Sequence, residues 1–268
     1  MYKLSISEVT TDKWTFEEDV SGYKRAGVSS IGVWWNKLRD YGVEKGIDLL
    51  QQENMHVSTL IGIGWFTRED RSQIRPCIPD NHLAIDLAAK LKADCLTVVA
   101  GPPGQWSKRE ALEIATKAIK ELLPYAEDRG VRLALEPLHP MNTGRGSVVN
   151  TISMAMDMVE SINSPFFGVY LDTYHIWWDF CLDTQIPRAK GSIFGVHVND
   201  WREPPRDINR DRAMMGEGII PLKHILGLIN ETGYDGYYEI EILSEELWKL
   251  DHNSLVQQCV TSFENIWK

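Results

Sequence analysis

Eight short runs rich in Val, Ile, Leu and aromatic residues recur along the chain, and a longer amphipathic stretch follows each. This alternation constrains the fold more than any other feature. A repeated strand–helix unit leaves its strands parallel and joined by crossover helices. The candidate strands are Lys3–Glu8, Ser29–Trp35, His56–Gly62, Asp94–Ala100, Arg132–Glu136, Phe167–Asp172, Ile193–Asn199 and Tyr237–Ile242. Helical stretches are expected to begin near Thr15, Gly42, Asn81, Ser107, Asn150, Phe180, Pro221 and Ser244. Asp80-Asn81 precedes HLAIDLAAKLKA, whose apolar residues return at helical spacing. Ser107 opens a long helical stretch that Gly130 stops. Eight such units in 268 residues are the arithmetic of an α/β fold, a single (β/α)8 TIM barrel. No Gly/Ser-rich linker divides the chain, so residues 1–268 read as one catalytic domain. The rival is a doubly wound open sheet. It lacks a GxGxxG after the first strand, and GPPG at Gly101–Gly104 lacks the Lys-Ser/Thr of a phosphate loop.

Composition removes whole classes of function. With 43% hydrophobic and 25% charged residues the chain is an ordinary folded protein rather than a disordered one. No apolar run is long enough to span a bilayer, and MYKLSISEVTTDKW lacks the apolar core of a secretory signal. Cys77, Cys95, Cys181 and Cys259 are far apart and read as free thiols, so a cytoplasmic location is expected. A net charge of −10 argues against a nucleic-acid partner. The expected partner is a small carbohydrate or polyol. The apolar residues after Leu243 exceed one helical face and leave a homo-oligomer as a further expectation.

In a barrel of this type the chemistry sits where the strands end. The fifth candidate strand ends in Glu136 and the sixth in Asp172, with His175 just beyond. The seventh carries His197, and the eighth carries Glu239 and Glu241. Side chains alternate faces along a strand. Ala134 therefore shares a face with Glu136, Tyr170 with Asp172, and Gly195 with His197. Leu133, Leu135, Val169, Leu171, Val196 and Val198 occupy the opposite faces, where outer helices can cover them. Three clustered carboxylates need a counter-charge, and carboxylates with an imidazole suit one divalent cation. Mn²⁺ is the first expectation, with Mg²⁺, Co²⁺ and Zn²⁺ as alternatives.

LEPLHP, LDTYH, VHVND, GEG and the GYDGYYEIE stretch resemble the xylose-isomerase-like barrel superfamily, which includes sugar isomerases and epimerases, inosose dehydratase and endonuclease IV. The resemblance covers nearly the whole chain. It implies Glu136, Asp172, His197 and Glu241 as metal ligands, with Glu239 as the alternative to Glu241. It implies His175 as a substrate-binding residue. Two departures matter. The early strands end in Trp35, Trp65 and Ala100, and Asp211-Arg212-Ala213 lacks the histidine of an endonuclease IV site. Asn142 and Glu203 stand where ketose 3-epimerases carry Glu and Arg, leaving Arg202 as the nearest substitute.

The implied activity is a divalent-metal-dependent isomerisation or epimerisation of a sugar or sugar derivative through an enediolate. Glu136 and Glu241 form the acid–base pair. The alternative is a lyase or dehydratase acting on a keto-inositol or a 3-oxo-glycoside, carbon–glycoside cleavage included. A non-catalytic sugar-binding barrel would not need both glutamates. The chain also carries 10 Trp. Trp35, Trp65, Trp106, Trp177 and Trp201 fall in loops of the expected catalytic face, where flat rings suit sugar C–H faces. They join His175, His139 and Arg202 as expected substrate-binding residues. Trp14, Trp248 and Trp267 read as structural.

Overall fold

The strand–helix alternation closes into a ring. The computed structural model describes residues 2–70, 74 and 77–268. Its barrel strands are β1 (Lys3–Ser7), β2 (Ser30–Trp34), β3 (His56–Gly64), β4 (Cys95–Val99), β5 (Leu133–Leu135), β6 (Phe167–Asp172) and β7 (Ile193–Val198). Two short strands, β8 (Asp200–Trp201) and β9 (Arg212–Ala213), form an antiparallel ribbon, and β10 (Tyr237–Ile240) completes the barrel. The barrel order is β1-β10-β7-β6-β5-β4-β3-β2, with every neighbouring pair parallel. Closure between β1 and β10 leaves the main sheet no edge.

The helices are α1 (Phe16–Arg25), α2 (Trp35–Tyr41), α3 (Val43–Gln52), α4 (Asn81–Leu91), α5 (Lys108–Asp128), α6 (Ile152–Ile162), α7 (Thr173–Ile176), α8 (Leu182–Arg188), α9 (Leu222–Glu231) and α10 (His252–Ile266). Their starts follow from capping chemistry. Thr15 with Glu18 and Ser107 with Glu110 form capping boxes. Asp80, Thr151 and Asp251 accept backbone N–H groups at the starts of α4, α6 and α10. The final helix begins at His252 rather than near Ser244, because the indole of Trp248 donates to the Val9 carbonyl and pins the intervening loop to the barrel. The α2 and α7 helices are additions to the expected set.

The expected phase of the strands holds. Leu133, Leu135, Val169, Leu171, Val196 and Val198 are fully buried in the main apolar core with the helices. Each such side chain contributes roughly 1.5–3 kcal/mol by leaving water. Leu255, Val256, Cys259, Phe263 and Ile266 of α10 are buried within the same chain. No helix among the described residues is long and apolar enough to cross a membrane. The barrel interior is mixed by contrast: Ser5, Ser58, Thr97, His197 and Glu239 are buried there or beside it, with a small apolar group of Cys95, Ala134, Tyr170 and Phe194.

Candidate metal centre and active site

Four strands deliver the expected cluster. Asp172 ends β6 and lies in register beside His197 of β7. Glu136 and Glu241 lie just beyond β5 and β10, yet both stay tied to the sheet. Their N–H groups donate to Val98 and Val198 carbonyls at 2.9 and 3.2 Å. His197 Nδ1 lies 3.3 Å from Glu241 Oε2, 3.5 Å from Glu136 Oε1 and 3.9 Å from Asp172 Oδ2. Ligand atoms of Asp172, His197 and Glu241 fall within 4.8 Å of one another, and so do those of Glu136, Asp172 and His175. Buried polar atoms are almost always hydrogen-bonded. Nδ1 of His197 is buried and has no hydrogen-bond partner, although three carboxylates surround it. That orphaned nitrogen and its oxygen neighbours are a set of donors that could hold a divalent cation.

The second half of the cluster comes from an unexpected place. Arg212 of β9 reaches back over the barrel mouth, and its Nη1 donates to Asp172 Oδ2 and Glu241 Oε2, both at 2.8 Å. Its guanidinium also lies over the Tyr174 ring, 4.7 Å from the centroid. The sequence shows three carboxylates without a protein counter-charge; Arg212 supplies one, and it pairs directly with two of them, Asp172 and Glu241. Four arginines lie in the connection after β7, at 202, 206, 210 and 212. Sequence order does not say which of them turns inward.

The electrostatics follow from burial and neighbours. Burial opposes the charge on Arg212, but Asp172 and Glu241 outweigh it and hold the guanidinium protonated. Burial also opposes the Asp172 carboxylate, and Arg212, His175 and His197 more than offset that, so its pKa falls. Burial lifts Glu241 to about 7 despite His197 and Arg212. His197 is desolvated, yet the carboxylates around it raise its pKa well above the usual value. His175 is pushed down mainly by burial.

A cavity of about 650 Å³ opens above the cluster, large enough for a drug-sized ligand. Among the described residues Glu136, Glu241, His175 and Arg212 line it, with Trp34, Trp65, Trp248 and Tyr174 as its aromatic wall. Trp65 is held at φ +49°, a costly backbone conformation for a bulky residue. The other expected substrate-binding residues stand elsewhere. Trp35 starts α2 and packs on the core, because it points away from the face that Gly32 and Trp34 share. Trp106 is exposed and lines no part of this cavity. Buried Trp201 stacks on Tyr174 and meets the half-buried Trp177 and His139. His139 acts through its backbone, whose N–H donates to His175 Nδ1 at 3.3 Å. Arg202 is turned away and bonded to Asp211. Trp248, expected to be structural, faces the cavity with its N–H tied to Val9. Glu239 stands on the other edge of the His197 ring, outside the group of carboxylates at Nδ1.

A family model described as xylose isomerase-like TIM barrel matches residues 22–258. An inosose isomerase of Halalkalibacterium halodurans is 24% identical over 244 residues, covering 88% of this chain and 84% of the relative. An L-ribulose-5-phosphate 3-epimerase of Salmonella paratyphi A is 29% identical over 129 residues, covering 47% of this chain and 42% of its own length. Among solved structures, a Sinorhizobium meliloti 1021 protein superimposes with a TM-score of 0.92 at 35% identity, over 98% of both chains. The IolI protein, solved with a binding zinc atom, has a TM-score of 0.84 at 22% identity, over 98% of this chain and 97% of that one.

Proposed function

The chain belongs to the xylose isomerase-like TIM barrel family, and from that footing we propose that it is a divalent-metal-dependent isomerase or epimerase of a sugar or sugar-like polyol. The observation that carries this reading is the unpartnered Nδ1 of His197 amid Glu136, Asp172 and Glu241. The relatives named as inosose isomerase and L-ribulose-5-phosphate 3-epimerase support it, and so does the zinc of the IolI structure. Glu136, Asp172, His197 and Glu241 would hold the ion; Mn²⁺, Mg²⁺, Co²⁺ and Zn²⁺ all suit such donors. When bound, it supplies positive charge against a substrate carbonyl oxygen and against the enediolate that proton loss leaves.

The protein's own groups do the remaining work. Glu136 and Glu241 approach the cluster from different strands, so one can take the proton beside the carbonyl and the other can return it. Return to the same carbon from the opposite face inverts that centre. Return to the neighbouring carbon isomerises. Arg212 keeps a buried Nε–H without a partner, a donor for a substrate oxygen, and His175 lines the same cavity. The indole faces of Trp34, Trp65 and Trp248 exclude water and offer apolar surface to C–H groups.

The test pairs metal content with turnover. Plasma mass spectrometry should find near one divalent ion per wild-type chain, lost in the Asp172→Ala, His197→Ala double variant. Ketoses and inososes incubated in D₂O should gain deuterium without loss of mass from the skeleton. Glu241→Gln should lose turnover by roughly 10²–10⁴-fold with its circular dichroism intact. Wild-type turnover in that variant, or no metal after adding Mn²⁺ or Zn²⁺, would sink the reading.

A further inference from the structure

A fourth carboxylate lies inside the barrel, and the proposed acid–base chemistry does not use it. Glu239 of β10 is fully buried, in register with His197 of β7 on one side and Ser5 of β1 on the other. Its Oε1 lies 3.2 Å from His197 Nε2. Its Oε2 accepts the Ser58 hydroxyl at 2.6 Å. Ser58 is in turn 2.7 Å from the Ser5 hydroxyl and 3.1 Å from the Ile31 carbonyl. Gly32 of β2 makes the room: a Cβ there would stand 1.9 Å from Glu239 Oε1. Residues of four other strands are thus arranged around this single side chain.

An ionised carboxylate accepts hydrogen bonds and donates none. In the neutral ring, the carboxylate oxygen beside Nε2 therefore favours the tautomer that carries its proton there, with the lone pair on Nδ1. Nδ1 is the atom that faces Glu136, Asp172 and Glu241. We propose that Glu239 is a positioning residue of the metal centre: it fixes the tautomer and the ring orientation of His197, so that Nδ1 is presented to the cation, and Ser58 aims the carboxylate. Such carboxylate–histidine pairs tune metal sites generally. The role in metal binding rests on the function proposed above, while the tautomer does not.

Two measurements on the full chain test it. In ¹⁵N-histidine-labelled protein, long-range ¹H–¹⁵N spectra report which ring nitrogen is protonated, and the His197→Gln variant identifies the His197 signals. At a pH where the ring is neutral, wild type should show a proton on Nε2 and none on Nδ1. Zn²⁺ affinity is read by competition with a chelating dye. Glu239→Ala should lose the tautomer preference and bind Zn²⁺ about 10- to 100-fold more weakly. Glu239→Gln keeps an oxygen that can accept from Nε2–H and should recover most of the affinity, which a mere loss of packing would not allow. A neutral wild-type ring with its proton on Nδ1, or a folded Glu239→Ala with wild-type tautomer and affinity, overturns the proposal. If Glu239→Ala fails to fold, Ser58→Ala should weaken Zn²⁺ binding several-fold, and an unchanged affinity counts against the role. Absence of Zn²⁺ binding in wild type would reject the metal reading itself, and the tautomer would then decide the role of Glu239.

Discussion

At the scale of single residues, the polar groups outside the cavity show how burial sets charge. Glu8 follows β1 and is fully buried, with Oε2 accepting the Trp34 N–H and Oε1 left without a partner. Asp19 of α1, also buried, holds Lys37 Nζ at 2.6 Å. One lysine facing two acids leaves a proton to be kept, and Asp19 has the ion pair, so the proton stays on Glu8. Burial and the Asp19 charge accordingly raise the Glu8 pKa well above its ordinary 4.5. A raised acid stabilises the fold below its unfolded pKa and loses that contribution as pH rises through the folded value. Stability should therefore decline from about pH 4.5 upward. Glu8→Gln should flatten that decline, raising Tm at pH 8 by roughly 2–4 °C for each kcal/mol regained in a chain of this size. Equal Tm differences between variant and wild type at pH 5 and pH 8 would contradict this account of Glu8.

At the scale of elements, the β8–β9 ribbon decides whether Arg212 reaches the mouth. Asp200 organises it. Its carboxylate accepts the N–H groups of Trp201, Gly216, Gly218 and Ile220 at 2.8–3.0 Å. Gly218 is required by this close approach, since a Cβ would stand 2.3 Å from Asp200 Oδ1 and from the Trp201 carbonyl. Asp200→Ala would orphan four donors at once. Hydrogen exchange should then quicken across residues 212–220 while β5 and β6 stay protected. Turnover should fall on the order of 10²-fold, the usual cost of a misplaced binding group. Unchanged protection of the ribbon would show that Asp200 does not hold it. The motif VHVND was legible in sequence as the end of a strand. The task of its aspartate was not, because the donors it gathers lie up to twenty residues onward.

At the scale of the whole molecule, folding and the proposed ion binding share one charge balance. Barrel closure brings Glu136, Asp172 and Glu241 together, and Arg212 offsets only part of their charge. Added Zn²⁺ or Mn²⁺ should stabilise the wild type by about 2.7 kcal/mol at a hundred times Kd. That is roughly a 5–10 °C rise in Tm. Arg212→Ala leaves two buried carboxylates without their partner, a loss of about 3–5 kcal/mol. Its Tm in chelator should fall below wild type, and its rise on metal addition should be larger, because the ion then offsets more uncompensated charge. Equal rises in the two proteins would separate Arg212 from the ion's charge balance.

The barrel and the principal cluster were legible in the chain's own pattern. Strand–helix alternation allows few folds, and the two-residue period of a strand puts Glu136, Asp172, His197 and Glu241 on the inner faces. Local capping chemistry likewise marked where α1, α4 and α5 begin. Packing in three dimensions settled the remainder. It selected Arg212 among four loop arginines and set Trp34 rather than Trp35 against the cavity. It also placed Glu239 on the far edge of the His197 ring. Each of these depends on contacts between residues distant in the chain, where the length of a loop, the end of a strand or a missing Cβ across the barrel sets which atoms meet.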